Sequence, residues 1–202
     1  MKDGFLKAAA LSPALRVADC AYNVRQITDA LHKAAARGVK LAVFPEFCLT
    51  GYTCGDLFLQ ETLLEGALKA LETVRRESEE IAAVIVVGLP LRVKGKLYNV
   101  AAVVNAGDVL AFVPKTYIPN YSEFYEQRHF VSADTLSGME NVLIKAADGE
   151  GPARHRSHFS VRRAAAVHLR RRDLRGSVGA ESAVYYIGAD GRAHYRQPVC
   201  FR

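Results

Sequence analysis

The stretch Leu41-Ala-Val-Phe-Pro-Glu-Phe-Cys-Leu-Thr-Gly-Tyr52 decides how this chain reads. An apolar run, Leu41 to Phe44, stops at Pro45 and is followed by one charged residue, Glu46. Short apolar runs bounded by Gly and Pro fit buried strands, so a lone carboxylate at the end of one belongs to the rim of a sheet rather than its core. A second stretch, Val113-Pro-Lys-Thr-Tyr-Ile-Pro-Asn-Tyr121, repeats the pattern with a cation, Lys115, directly after Pro114. The chain thus places a carboxylate and an ammonium at two strand ends, where sheets present chemistry.

Outward from these stretches, strand and helix signals alternate over residues 5 to 144. Leu6 to Ala10 is a short apolar run, and Cys20 to Ala36 carries apolar or small residues at helical spacing. Glu61 to Glu80 puts Leu63, Leu64, Ala67, Leu68 and Leu71 on one helical face, and Ile81 to Val87 is a continuous apolar strand. Leu97 to Val104 and Val109 to Val113 flank Asn105-Ala-Gly-Asp108, a hairpin turn. The order predicts an α/β sheet layered with helices, and no internal repeat is visible.

Half of the 202 residues are hydrophobic, yet no apolar run approaches the length needed to cross a bilayer. The start, Met1-Lys-Asp-Gly-Phe5, lacks the apolar stretch of a secretory signal. A one-domain, soluble, cytoplasmic protein with no membrane partner is the expectation. The four cysteines, Cys20, Cys48, Cys54 and Cys200, are scattered and read as reduced thiols. His155 and His158 form a pair without further ligands, so no metal is expected.

The formal charge of +6 is uneven. Residues 1 to 150 carry 16 basic against 18 acidic residues, whereas residues 151 to 202 carry eleven Arg, no Lys and three acidic residues. A run such as Arg170-Arg-Arg172 attracts phosphate without specificity and is more often solvated, so no specific nucleic-acid partner is expected.

Two longer strings sharpen the picture: Phe44-Pro-Glu-Phe-Cys-Leu-Thr-Gly-Tyr-Thr-Cys-Gly-Asp-Leu-Phe58 and Pro114-Lys-Thr-Tyr-Ile-Pro-Asn-Tyr-Ser-Glu-Phe-Tyr-Glu-Gln-Arg-His-Phe130. On them the chain resembles the nitrilase or carbon-nitrogen hydrolase superfamily, in particular the N-terminal glutaminase domains of glutamine-dependent NAD synthetases, from residue 5 to about 146. The resemblance implies an α/β fold, part of a nitrilase-type α-β-β-α sandwich, and a Glu-Lys-Cys triad. It implies that Glu46 is the general base, Lys115 the oxyanion-stabilising lysine and Tyr121 a contact to the substrate, glutamine. Glu123 or Glu126 would support the lysine.

Taken alone, Glu46 also suits the positive end of a following helix, and Lys115 an exposed turn. Tyr117, Tyr121, Phe124, Tyr125 and Phe130 also fit a packed aromatic patch. In the family Cys48 and Cys54 belong to the glutamate loop, away from the nucleophile position. The resemblance further implies oligomers in the parent family. ATP, Mg and deamido-NAD serve a synthetase domain for which no pyrophosphate loop follows here, so no cofactor is expected for this chain.

The family's nucleophile lies in a motif like Glu-Ile-Cys-Glu-Asp-Leu-Trp, which is missing from this sequence. Codons for His168 to Tyr185, read one base later with permitted wobble choices, spell Thr-Phe-Ala-Val-Glu-Ile-Cys-Glu-Asp-Leu-Trp-Val-Pro-Asn-Pro-Pro-Ser. The cysteine codon would straddle Leu174 and Arg175. The first and third bases of each shifted codon are largely fixed, so agreement over this length is hard to reach by chance. The expectation is a frameshift, in the gene or in its reading, near residues 146 to 150. Residues 1–147 are then the N-terminal part of the hydrolase domain and 148–202 an aberrant, out-of-frame tail. The chain as written should be inactive. An amidase acting on another amide, and a non-catalytic binding module with a basic tail, remain as alternatives.

Overall fold

In the computed structural model of the protein, residues 5–136 are described together with the backbone of strands at Glu140–Leu143 and His158–Val161. Asp19 opens the first helix, α1 (Cys20–Ala36), by accepting a hydrogen bond from the Tyr22 backbone N–H, which satisfies a donor the helix cannot pair internally. Val24, Ile27, Leu31 and Ala34 recur every three or four residues and are buried. The second helix, α2 (Glu61–Glu77), buries Leu63, Leu64, Ala67, Ala70, Leu71 and Val74 in the same way.

Both helices share one apolar core with Ala42, Ile85, Val87, Leu89, Ala102, Val104 and Phe112 of the sheet. Neighbouring strand residues of opposite parity, Val84 and Val103, form a separate cluster with Val113. Alternation of side chains along a strand sends them to the other sheet face. One helical layer on one sheet is half of the α-β-β-α arrangement that the sequence implies.

The sheet begins with β1 (Ala8–Ala10) and β2 (Leu41–Val43), parallel to each other and to β3 (Val84–Val93). β3, β4 (Lys96–Asn105) and β5 (Asp108–Pro114) form an antiparallel meander. β6 (Glu140–Leu143) and β7 (His158–Val161) complete the order β1-β2-β3-β4-β5-β7-β6. Both tight turns of the meander use two residues at positive φ, Lys94 and Gly95 (49° and 78°) and Ala106 and Gly107 (49° and 83°). That is the turn hand that matches the twist of the flanking strands. The second of these is the hairpin expected from Asn105-Ala-Gly-Asp108.

β3 differs from its sequence expectation: it starts at Val84 rather than Ile81 and runs past Gly88 and Pro90 to Val93. The proline is tolerated because Pro90 pairs with Asn99, whose carbonyl faces β5 and receives the Lys115 N–H. The ring nitrogen of Pro90 therefore faces the β2 side, where the ladder has already ended at Val86. Of the segment read as an out-of-frame tail, only the backbone of β7 is described; the remainder, including the residues whose codons carry the shifted motif, lies outside the described residues.

Candidate active site

Glu46 sits in the turn that leaves β2. Phe44 is still in the sheet, its N–H on the Val86 carbonyl, and Pro45 then ends the strand. The Cys48 N–H returns to the Pro45 carbonyl and Leu49 N–H reaches the Gly88 carbonyl, which folds the turn back over β3. Phe47, at φ 51°, is fully buried and packs its ring against Phe58, Phe130 and Tyr52 with centroids 4.9, 5.0 and 5.9 Å away.

The turn lies on Gly88 so closely that a Cβ there would stand 2.5 Å from Phe47 N and 2.9 Å from both Glu46 Cα and Pro45 O. All three atoms are backbone, so nothing can rotate away. Gly88→Ala is expected to cost about 1–3 kcal/mol in urea unfolding, the range of overpacked cores, and to displace Glu46. An unchanged midpoint would show that the turn floats free of β3.

Lys115 follows β5, its backbone N–H held by the Asn99 carbonyl at 2.8 Å. Its side chain is nearly buried and bridges two carboxylates: Nζ donates to Glu46 Oε1 at 2.7 Å and to Glu126 Oε1 and Oε2 at 3.0 Å each. Glu126, 7 % exposed, comes from a short 3-10 turn (Glu126–Arg128) and also accepts the Tyr52 hydroxyl at 2.6 Å. Asn99 donates from Nδ2 to Glu46 Oε1 and, at 3.5 Å, to Glu126 Oε2. Phe44, Pro45, Val86, Gly88, Val100, Ala101 and Val113 surround a hollow into which Glu46, Asn99 and Lys115 open.

The sequence-predicted residues divide. Glu46, Lys115 and Glu126 converge in one ion cluster. Glu123 is exposed, and the lysine's contacts go to Glu126 instead. Tyr121 is 67 % exposed on the loop after Lys115, its ring 5.5 Å from that of Phe124. Of the aromatic group, Phe130 is buried core while Tyr117 and Tyr125 are exposed. Sequence reasoning gave no role to Asn99 or Tyr52; a lone asparagine inside the apolar run Leu97 to Val104 was the available signal for the first.

Cys48 is fully buried, and burial pushes its thiol up to about 12. Burial likewise raises Cys20 to about 11 and shifts Cys54 upward. A nucleophile needs the thiolate, so none of the three is built for attack. Among the described residues no group of three His, Cys, Asp or Glu side chains could hold a metal, and no helix is long and apolar enough to cross a membrane.

The loop bearing Glu126 is tied to the loop after Cys54 from outside. Arg128 grips Asp56 through Nε at 2.8 Å and a second nitrogen at 3.1 Å, and His129 Nε2 lies 2.9 Å from the same carboxylate. Hydrogen bonding from Arg128, then from His129, draws the Asp56 carboxyl down to about 2 from its usual 3.8. A depressed carboxyl stabilises the fold above its unfolded value and loses that contribution as pH falls through the folded value. The stability gap between the protein and Asp56→Asn should therefore be constant above about pH 5 and close between roughly pH 4 and 2. A gap independent of pH over that window would mean the tie does nothing.

The profile of carbon-nitrogen hydrolases matches residues 7–155, with the glutamate turn, the lysine and the whole ion cluster inside the match. The chain belongs to the carbon-nitrogen hydrolase family. This carbon-nitrogen hydrolase domain is 40% identical over 145 residues to the glutamine-dependent NAD(+) synthetase of Mycobacterium tuberculosis, a span of 72% of the chain and 21% of that protein. The chain thus spans about a fifth of the length of the curated relatives it matches. Among solved structures, the glutamine-dependent NAD(+) synthetase from Cytophaga hutchinsonii superposes with a TM-score of 0.65 at 28% identity, over 70% of this chain and 24% of that one. An amidase from Nesterenkonia sp., 20% identical, shares the fold with a TM-score of 0.56 over 70% of this chain and 52% of its own. Among the described residues the carbon-nitrogen hydrolase fold is represented by one sheet and its helices.

Proposed function

We propose that the chain is the N-terminal part of a glutamine amidohydrolase domain which, in a parent synthetase, releases ammonia for the amidation of deamido-NAD, and that the chain as written does not turn over. The observation that carries this is the Glu46–Lys115 pair, 2.7 Å apart at the ends of two strands and opening on one hollow, in a chain similar to glutamine-dependent NAD synthetases.

The chemistry follows from the charges. A thiol delivered opposite Glu46 gives up its proton to that carboxylate and attacks the carboxamide carbon; the carbonyl oxygen takes the electron pair and is stabilised by the Lys115 ammonium. Collapse of the tetrahedral species expels ammonia, which leaves with the proton from Glu46. Water, deprotonated by the same carboxylate, then cleaves the thioester to glutamate and restores the thiol. Tyr121, six residues beyond Lys115, is the proposed glutamine contact. No step uses a cofactor; ATP, Mg and deamido-NAD belong to the parent's synthetase domain.

Glutamine hydrolysis by the chain and by its frame-restored form is the test. Support is turnover of glutamine by the restored form alone. Faster turnover of simple amides such as acetamide would replace glutamine by another amide.

A further inference from the structure

Asn99 is the most deeply placed polar side chain of the ion cluster, 4 % exposed in the middle of β4. It touches all three charged residues. Its backbone carbonyl accepts the Lys115 N–H at 2.8 Å, and its Nδ2 donates to Glu46 Oε1 and, at longer reach, to Glu126 Oε2. Two carboxylates share one ammonium here, so the cluster holds one negative charge more than its lysine balances. A carboxamide is the group that offers two hydrogens to that excess without adding charge or a competing proton.

We propose that Asn99 is a positioning residue for the Glu46–Lys115 pair: its carboxamide separates the two carboxylates, while its main chain fixes where the lysine leaves the sheet. Glu46 Oε1 is held by Asn99 and Lys115 together, which leaves Oε2 as the oxygen to take a proton. Glu126, gripped by Tyr52, Asn99 and both its contacts to Lys115, holds the ammonium without being free to act as a base. One asparagine therefore assigns different tasks to two glutamates.

The proposal rests on Glu46 and Lys115 being the working pair, but its first readout needs no substrate. In the intact chain, both carboxamide protons of Asn99 should give separate 1H–15N signals that exchange with water at least ~10-fold more slowly than those of an exposed asparagine, as bonds to charged acceptors demand. In Asn99→Ala the Lys115 ammonium protons should exchange at least ~10-fold faster while the circular dichroism spectrum is kept. Asn99→Asp, equal in shape but adding a third carboxylate, should not restore the slow exchange. A merely structural asparagine would lower the melting temperature without touching the lysine signal.

Asn99 protons that exchange as fast as exposed ones, or a Lys115 signal indifferent to Asn99→Ala, overturn the proposal. Should the variants fail to fold, the unaltered chain decides: nuclear Overhauser contacts from the Asn99 carboxamide protons to the side chains of both Glu46 and Glu126 support the proposal, and their absence overturns it. Glutamine binding by the unaltered chain is measured separately, and its absence would count against the substrate while leaving these signals in place.

Discussion

A gene in which one base restores the proposed frame near residues 146 to 150 is expected to give a protein that hydrolyses glutamine at least ~10,000-fold faster than the 202-residue chain. In the proposed mechanism nucleophile and base act as one unit, so without the atom that forms the covalent bond Glu46 would have no proton to take and Lys115 no oxyanion to hold. No cysteine among the described residues can substitute. Cys48 is closed off beneath the glutamate turn with its thiol near 12, and Cys54 is raised by burial as well. Stopped assays of ammonia release from both proteins, at matched concentration, make the comparison. Turnover by the unrestored chain within tenfold of the restored one would remove the frameshift from the account, and a silent restored protein would remove the glutaminase.

The second large effect concerns the cluster's charge balance. Lys115→Met should lower unfolding free energy by about 3 kcal/mol, because the buried Glu126 and the partly buried Glu46, which shared an ammonium, are left facing each other without it. Lys115 and Glu126 are at most 8 % exposed, so solvent screening does little to soften that repulsion. Glu46→Gln should cost far less, under about 1 kcal/mol, since it leaves Lys115 and Glu126 as a matched pair with Tyr52 still donating to Glu126. Urea titrations of the two variants test the ordering. If Glu46→Gln proves the costlier, the cluster is not the over-acidic site that the geometry describes.

Much of this was legible in the sequence for identifiable reasons. α1 has the bounds that its apolar spacing predicts, Cys20 to Ala36, since helix period and an Asp cap coincide there. Glu46 and Lys115 were legible because each interrupts an apolar run right after proline. Glu126 was one of two candidates: sequence spacing alone could not say which glutamate turns inward, and a 3-10 turn at Glu126–Arg128 decides it. The passage of β3 through Pro90 was hidden because it depends on β2 ending early, a fact of the neighbour rather than of the proline. Asn99 was hidden for a similar reason. Its partners lie 53 and 27 residues away, brought to it by the turn after β2 and by the 3-10 turn at Glu126–Arg128.

All members of the ion cluster, Glu46, Tyr52, Asn99, Lys115 and Glu126, are synthesised before residue 127. A chain emerging from the ribosome can therefore close this ion cluster on the β2–β5 sheet while the codons beyond are still being read, as N-terminal units do during synthesis. The nucleophile would be a late arrival docking onto a site already charged and set. On the proposed reading, a shift of frame downstream would act on one part of the site only: the thiol would be withheld, while the Glu46 carboxylate and the Lys115 ammonium would still meet at the ends of β2 and β5.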